Sequence, residues 1–72
     1  MPFVQVQAIK DVFTDEQKRE VIAKITDVMV SIEGEALRGV TWVNFVEVDS
    51  GCWGIGGQPL TTEAVKAMQS GG

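Results

Sequence analysis

An α/β fold built on one strand–helix–strand unit is predicted by three features of the chain. Two short segments, "FVQVQAI" and "VTWVNFVEV", alternate from face to face or are rich in β-branched and aromatic residues. Between them lies a long stretch with apolar residues at helical spacing. After them comes "CWGIGGQPL", short and glycine-rich, which fits a small C-terminal hairpin.

The first strand is predicted over about residues 3–9. Val4, Val6 and Ala8 share one face; Phe3, Gln5, Gln7 and Ile9 share the other. "KDVF" connects it to a helix over about residues 14–33. "TDEQ" is a capping box, in which the Thr14 hydroxyl accepts from the Gln17 N–H and the Gln17 side chain reaches back. Asp15 and Glu16 suit the positive end of the helix dipole. Val21, Ile22, Ile25, Val28, Met29 and Ile32 form the apolar stripe, with Lys18, Glu20, Lys24, Asp27 and Ser31 mostly off it. Gly34 is the stop signal.

The second strand is predicted over about residues 40–48. Its faces are Val40, Trp42, Asn44, Val46 and Val48 against Thr41, Val43, Phe45 and Glu47. Two strands joined by a helix should be parallel, with a right-handed crossover. "TTEAVKAM" is compatible with one or two terminal helical turns capped by Thr61 or Thr62. Residues 1–72 thus read as one domain, with 69–72 as a frayed tail.

At 72 residues such a domain is marginal alone. One cysteine, Cys52, allows no internal disulfide, and the absence of histidine excludes a Cys/His zinc site and any His-based triad. One helix covers one face of a two-stranded sheet, so the other face is left apolar and exposed. A homo-oligomer is therefore expected. The net charge of −4, with scattered basic residues, argues against nucleic acid and anionic membrane surfaces as partners. No stretch is long and apolar enough for a membrane span, and no signal peptide is evident. A lone thiol then fits the cytoplasm.

"GIGG" does not match a dinucleotide fingerprint, and Cys52 has no base beside it in sequence. The chemistry is sought instead at "MP". Removal of Met1, expected before a small residue, leaves Pro2 as a secondary amine that can take and give a proton. Parallel pairing puts the start of both strands at one sheet edge, so Pro2 and Arg38 are expected to be neighbours. Arg38 could hold a substrate carboxylate bidentately, or it could simply cap the helix end. Trp53 lies past the far end of a strand that spans about 30 Å, and so could meet the Pro2 of another subunit or simply fill an interface.

The N-terminal "MP" entering a strand, "TDEQKRE" opening a long helix, a second strand and "WGIGG" together resemble the tautomerase superfamily, among the small subunits similar to 4-oxalocrotonate tautomerase. The resemblance covers roughly residues 2–58. It implies a βαβ subunit, commonly assembled as a hexamer with active sites shared between subunits. It also implies a cofactor-free mechanism in which the N-terminal proline nitrogen is the base. Pro2 matches that proline, and Trp53 stands where the family usually has phenylalanine.

Two family arginines are missing. The connection before the helix reads "DVFT", with no arginine, and Trp42 occupies the place of the other. Arg38, four residues earlier, is the available substitute. Poor activity on dicarboxylates is therefore expected, and better activity on a more apolar substrate, aromatic or with a single carboxylate. Trp42 and Trp53 would favour the neutral amine by desolvation. Arg38, a backbone N–H, a water or Asn44, which shares a face with Trp42, are candidate donors to the developing enolate. Three functions stay open: a keto–enol tautomerase, a proline-dependent hydratase or dehalogenase, and a non-catalytic oligomeric scaffold.

Overall fold

The computed structural model describes residues 1–71. Its elements run β1 (Phe3–Ile9), α1 (Asp15–Glu33), a 3₁₀ segment (Glu35–Val40), β2 (Trp42–Val48), β3 (Trp53–Ile55), β4 (Gln58–Leu60) and α2 (Thr62–Gln69). β1 and β2 pair in parallel, from Phe3 opposite Trp42 to Ile9 opposite Val48. The ladder extends one rung at each end, through Trp42 N–H to Pro2 C=O (3.1 Å) and Lys10 N–H to Val48 C=O (2.8 Å). β3 and β4 form a separate antiparallel hairpin. Its two turn residues, Gly56 and Gly57, have φ of 58° and 82°, values that match the twist of a tight hairpin and that side chains resist.

The helix starts as the sequence dictates. Thr14 is the N-cap, Gln17 N–H donates to Thr14 Oγ1 (3.1 Å) and Thr14 N–H donates to Gln17 Oε1 (2.9 Å). Asp11 takes φ of 68° in the connection, a conformation that Asp tolerates better than most residues. Gly34, at φ 108°, ends the helix with its N–H on Val30 C=O. The second strand starts later than expected. Residues 35–40 wind as a 3₁₀ helix, and the Thr41 hydroxyl at its end lies within hydrogen-bond reach of two acceptors, Leu37 C=O (2.9 Å) and the Glu33 carboxylate, with one proton for the two.

Contacts of Phe45 and Glu47 show which sheet face α1 covers. Phe13 and Phe45 meet edge to face at 5.4 Å between ring centres. Lys18 Nζ lies 2.6 Å from Glu47 Oε1, and the Asp11 N–H donates to Glu47 Oε2 (3.1 Å). Alternation then puts Trp42, Asn44 and Val46 on the uncovered face, beside Phe3, Gln5 and Gln7. Phe3 and Trp42 are 58% and 60% exposed there.

The apolar stripe of α1 is rotated from the expected one. Val30 is buried, whereas Val28 and Ile32 are exposed. Two strands give a helix a narrow seat, so it buries a narrower arc than its apolar residues span. Lys18, expected in the solvated face, is drawn in by Glu47, and both side chains are under a quarter exposed. At the C-terminus α2 runs through Gln69, inside the expected tail; Ser70 N–H bonds to Lys66 C=O, and Gly72 lies outside the described residues. The buried Thr62 holds α2 to the body: its hydroxyl donates to Lys10 C=O (2.7 Å) and its N–H donates to Ser50 Oγ (2.9 Å).

The Lys18–Glu47 pair sets one pH dependence. Lys18's hydrogen bond, then that of the Asp11 N–H, holds the Glu47 carboxyl below its usual range. A depressed carboxyl stabilises fully above its unfolded pKa, about 4.3 for Glu, and loses this as pH falls through the folded value. Lys18 is raised by the same bond, so on its side the contribution persists up to about 10.4 and fades above. Glu47→Gln should therefore melt below the native protein at pH 7, with the gap closing between pH 5 and pH 3. A gap in melting temperature that stays constant over that range would show that the pair contributes nothing.

Candidate active site

Pro2 sits one residue ahead of β1, and its carbonyl is already a rung of the sheet. The ladder therefore fixes the carbonyl side of Pro2, and the pyrrolidine ring fixes φ. A cavity of about 320 Å³ opens at this point, lined by Met1, Pro2, Phe3 and Trp42. Every one of these side chains is apolar. Met1 is 80% exposed. With Met1 attached, the Pro2 nitrogen is a tertiary amide without basicity. Without it, the same nitrogen is a secondary amine at the mouth of an apolar cavity.

The structure brings Pro2 and Trp42 together and sets the other sequence candidates apart. Arg38 belongs to the 3₁₀ segment and does not line the cavity. Its Nε donates to Glu35 Oε1 (2.7 Å), its Nη2 to Glu35 Oε2 (3.3 Å) and its Nη1 to Asp27 Oδ1 (2.9 Å). The guanidinium pins the segment after α1 to the helix through carboxylates and bonds to none of the helix's terminal carbonyls. Its hydrogen bonds hold Glu35 below the usual carboxylate range. Asn44 is exposed on the uncovered face, opposite Gln5 and two residues along the strand from Trp42.

Trp53 lies at the other end of the sheet. It lines an apolar groove of about 370 Å³ with Ile9, Phe13, Leu60, Val65 and Met68. The seven residues of β1 put roughly 23 Å between that groove and Pro2. Phe3 and Met1 were not legible as cavity residues. The signal for Phe3 was its register opposite Trp42, which no single strand reveals. Cys52 is exposed and free. Among the described residues there is no group of three His, Cys, Asp or Glu side chains that could hold a metal, and no helix long and apolar enough to cross a membrane.

Known proteins share the sequence pattern and the fold of this chain. Residues 2–63 match the family model described as tautomerase enzyme. A probable tautomerase of Dickeya dadantii is 39% identical over 67 residues, spanning 93% of this chain and 98% of that one. Among solved structures, a 4-oxalocrotonate tautomerase isozyme of Methylibium petroleiphilum superposes with a TM-score of 0.71 at 36% identity, covering 89% of this chain and 97% of its own. DmpI of Helicobacter pylori gives 0.72 at 30% identity, covering 82% and 95%. A proline at the start of a parallel βαβ unit, beside an aromatic wall, is thus found in a chain that belongs to the tautomerase family.

Proposed function

We propose that the protein is a cofactor-independent keto–enol tautomerase in which Pro2, freed of Met1, is the general base. The observation that carries this is the seat of Pro2 in an apolar cavity, its carbonyl bonded to Trp42 and its nitrogen beyond the last rung of the ladder. Family membership supports the reaction class. Neutral Pro2 takes a proton from an enol oxygen or a carbon next to a carbonyl and returns it to another carbon. An apolar wall disfavours the charged amine and so keeps the base available. No carboxylate lines the cavity to activate water, so a hydratase or dehalogenase receives no support from its lining.

The working unit in this reading is a homo-oligomer, as a hexamer or another closed assembly. A folded 7.8 kDa monomer exposes about 4,400 Å² by size scaling, whereas this chain exposes 5063 Å². The excess is close to the area that one partner buries in a standard interface. Assembly would also allow the Trp53 of one copy to approach the Pro2 of another, across the distance that separates them within one chain.

A chain that keeps Met1 would have no amine at Pro2, so the non-catalytic scaffold is the alternative, and one experiment separates the two. Intact mass identifies the processed and the Met1-retaining forms, and enol ketonisation is followed by absorbance for each. The processed form should be active and the retaining form inactive. Equal activity in both would remove Pro2 as the base, and no activity in either would favour the scaffold.

A further inference from the structure

We infer that Arg38 is a positioning residue for Pro2: its ion pairs with Asp27 and Glu35 seat the 3₁₀ segment that delivers the Trp42 N–H to the Pro2 carbonyl. The inference rests on the reading of Pro2 as base and concerns what holds that base in place.

Pro2 stands one residue outside β1, and the bond that holds it is the end rung of the ladder, Trp42 N–H to Pro2 C=O (3.1 Å). End rungs open most easily, because local unfolding starts where few contacts are buried. This rung is therefore only as firm as the chain that leads into Trp42. That chain buries nothing: residues 35–40 contain no buried side chain. Its backbone bonds, Leu37 N–H to Gly34 C=O (3.1 Å) and Thr41 N–H to Arg38 C=O (3.2 Å), shape the segment without fixing where it sits on the subunit.

Side chains fix that. The Thr41 hydroxyl lies against Glu33, the last residue of α1, and Arg38 reaches further back, with Nη1 on Asp27 Oδ1 (2.9 Å). Its Nε and Nη2 fork onto the two Glu35 carboxylate oxygens (2.7 and 3.3 Å), which sets the plane of the guanidinium. A lone exposed ion pair contributes little, but a forked arginine shared by two carboxylates is the geometry in which such pairs do hold. Arg38 also accepts the Thr41 N–H at its carbonyl, and the next N–H along the chain, that of Trp42, is the one on Pro2. A line of formed bonds thus runs from Asp27 through Arg38 to the Pro2 carbonyl, all within one chain. It ends on the carbonyl side of Pro2, which removal of Met1 leaves unchanged. Loosening it lets Trp42 and Pro2 shift together, and a small displacement of a reacting group costs rate before it costs binding.

The test uses the processed protein with 2-hydroxy-3-phenylacrylic acid as probe, its ketonisation followed by absorbance. Asp27→Ala cuts the tie on a residue of α1 that does not line the cavity. It should lower kcat by about tenfold, with KM within about twofold of native. Arg38→Gln should do the same, and the double variant should be no worse than either single one, because both remove one link. The pH profile of kcat/KM should not move, since two carboxylates already balance the Arg38 charge and its effect is geometric. Lys24→Gln, which removes the Lys24–Glu20 pair elsewhere on α1, should keep native kcat. Asp27 and Arg38 are both exposed, so circular dichroism and sedimentation should match the native protein in every variant.

Native kcat in Asp27→Ala would overturn the inference. So would a raised KM at native kcat in Arg38→Gln, which would make Arg38 a substrate-binding group of its own or a neighbouring subunit. A kcat lowered equally by Lys24→Gln would also overturn it, as the effect would then belong to any ion pair on the helix. The Met1-retaining form separates the inference from the proline reading. If that form is inert while Asp27→Ala is fully active, Pro2 remains the base and the positioning role alone is lost. If the retaining form matches the processed one, both are lost.

Discussion

Replacing Pro2 by alanine in the processed protein is expected to lower kcat by about 10²–10⁴-fold, the usual contribution of a positioned acid–base group. Alanine keeps an amine at the chain end but loses the ring that fixes φ, so the lone pair no longer has one direction into the cavity. The first rung of the ladder, Trp42 N–H to Pro2 C=O, uses a backbone carbonyl that alanine also provides. Fold and assembly should therefore persist, and circular dichroism and sedimentation should match the native protein. The informative comparison is with the Met1-retaining form, where the nitrogen is an amide. Alanine should fall between the two, because an amine, even a loose one, still titrates. If Pro2→Ala keeps native kcat, proton transfer runs through another group.

Val46→Asp is expected to weaken self-association by about 100-fold or more, since an unpaired charge forced into an interface typically costs 3–5 kcal/mol. Val46 shares the uncovered sheet face with Phe3, Trp42 and Asn44, whereas Phe45 and Glu47 beside it face α1. Aspartate is too short to carry its charge back to water, unlike lysine. Activity should fall with assembly if copies complete one another's sites. Sedimentation over a concentration series reads the effect, with helix content checked by circular dichroism. An assembly unchanged by Val46→Asp would place the interface elsewhere, and the exposed Val28 and Ile32 on α1 would be the next surface to charge.

Local signals predicted local structure well. The capping box at Thr14, the stop at Gly34 and the glycine pair in the hairpin each act within a few residues, and each is found as read. The bare sheet face also followed, because alternation is a property of one strand. What failed to follow needed two elements at once. The orientation of α1 on the sheet decides that Val30 is buried and Ile32 is not, and a helix pattern with apolar residues on more than one side does not fix it. The start of β2 moved because Thr41 and Glu33 close a 3₁₀ segment. Glu47 lay on the same strand face as Val43 and Phe45, and a carboxylate there demanded a cation; Lys18, one turn into the helix, was the signal available.

At the site, Pro2 and Trp42 were legible together because parallel pairing aligns the strand starts. Arg38, expected beside Pro2 by the same argument, does not line the cavity. Its position in the chain is near the sheet edge, but its side chain is committed to two acids, one of them 11 residues away on α1. Sequence distance carries no trace of that pairing.

The β1–β2 register has a kinetic consequence. Every pair in the ladder joins residues 39 positions apart, from Phe3 with Trp42 to Ile9 with Val48. Closing such a loop costs entropy before any rung repays it. α1 and the β3–β4 hairpin need only neighbours and can form on the microsecond scale of local elements. The parallel ladder then limits the rate, as non-local pairings generally do. Pro2 meets Trp42 only when the ladder closes, so a chain whose helix has formed first still lacks the cavity beside Pro2.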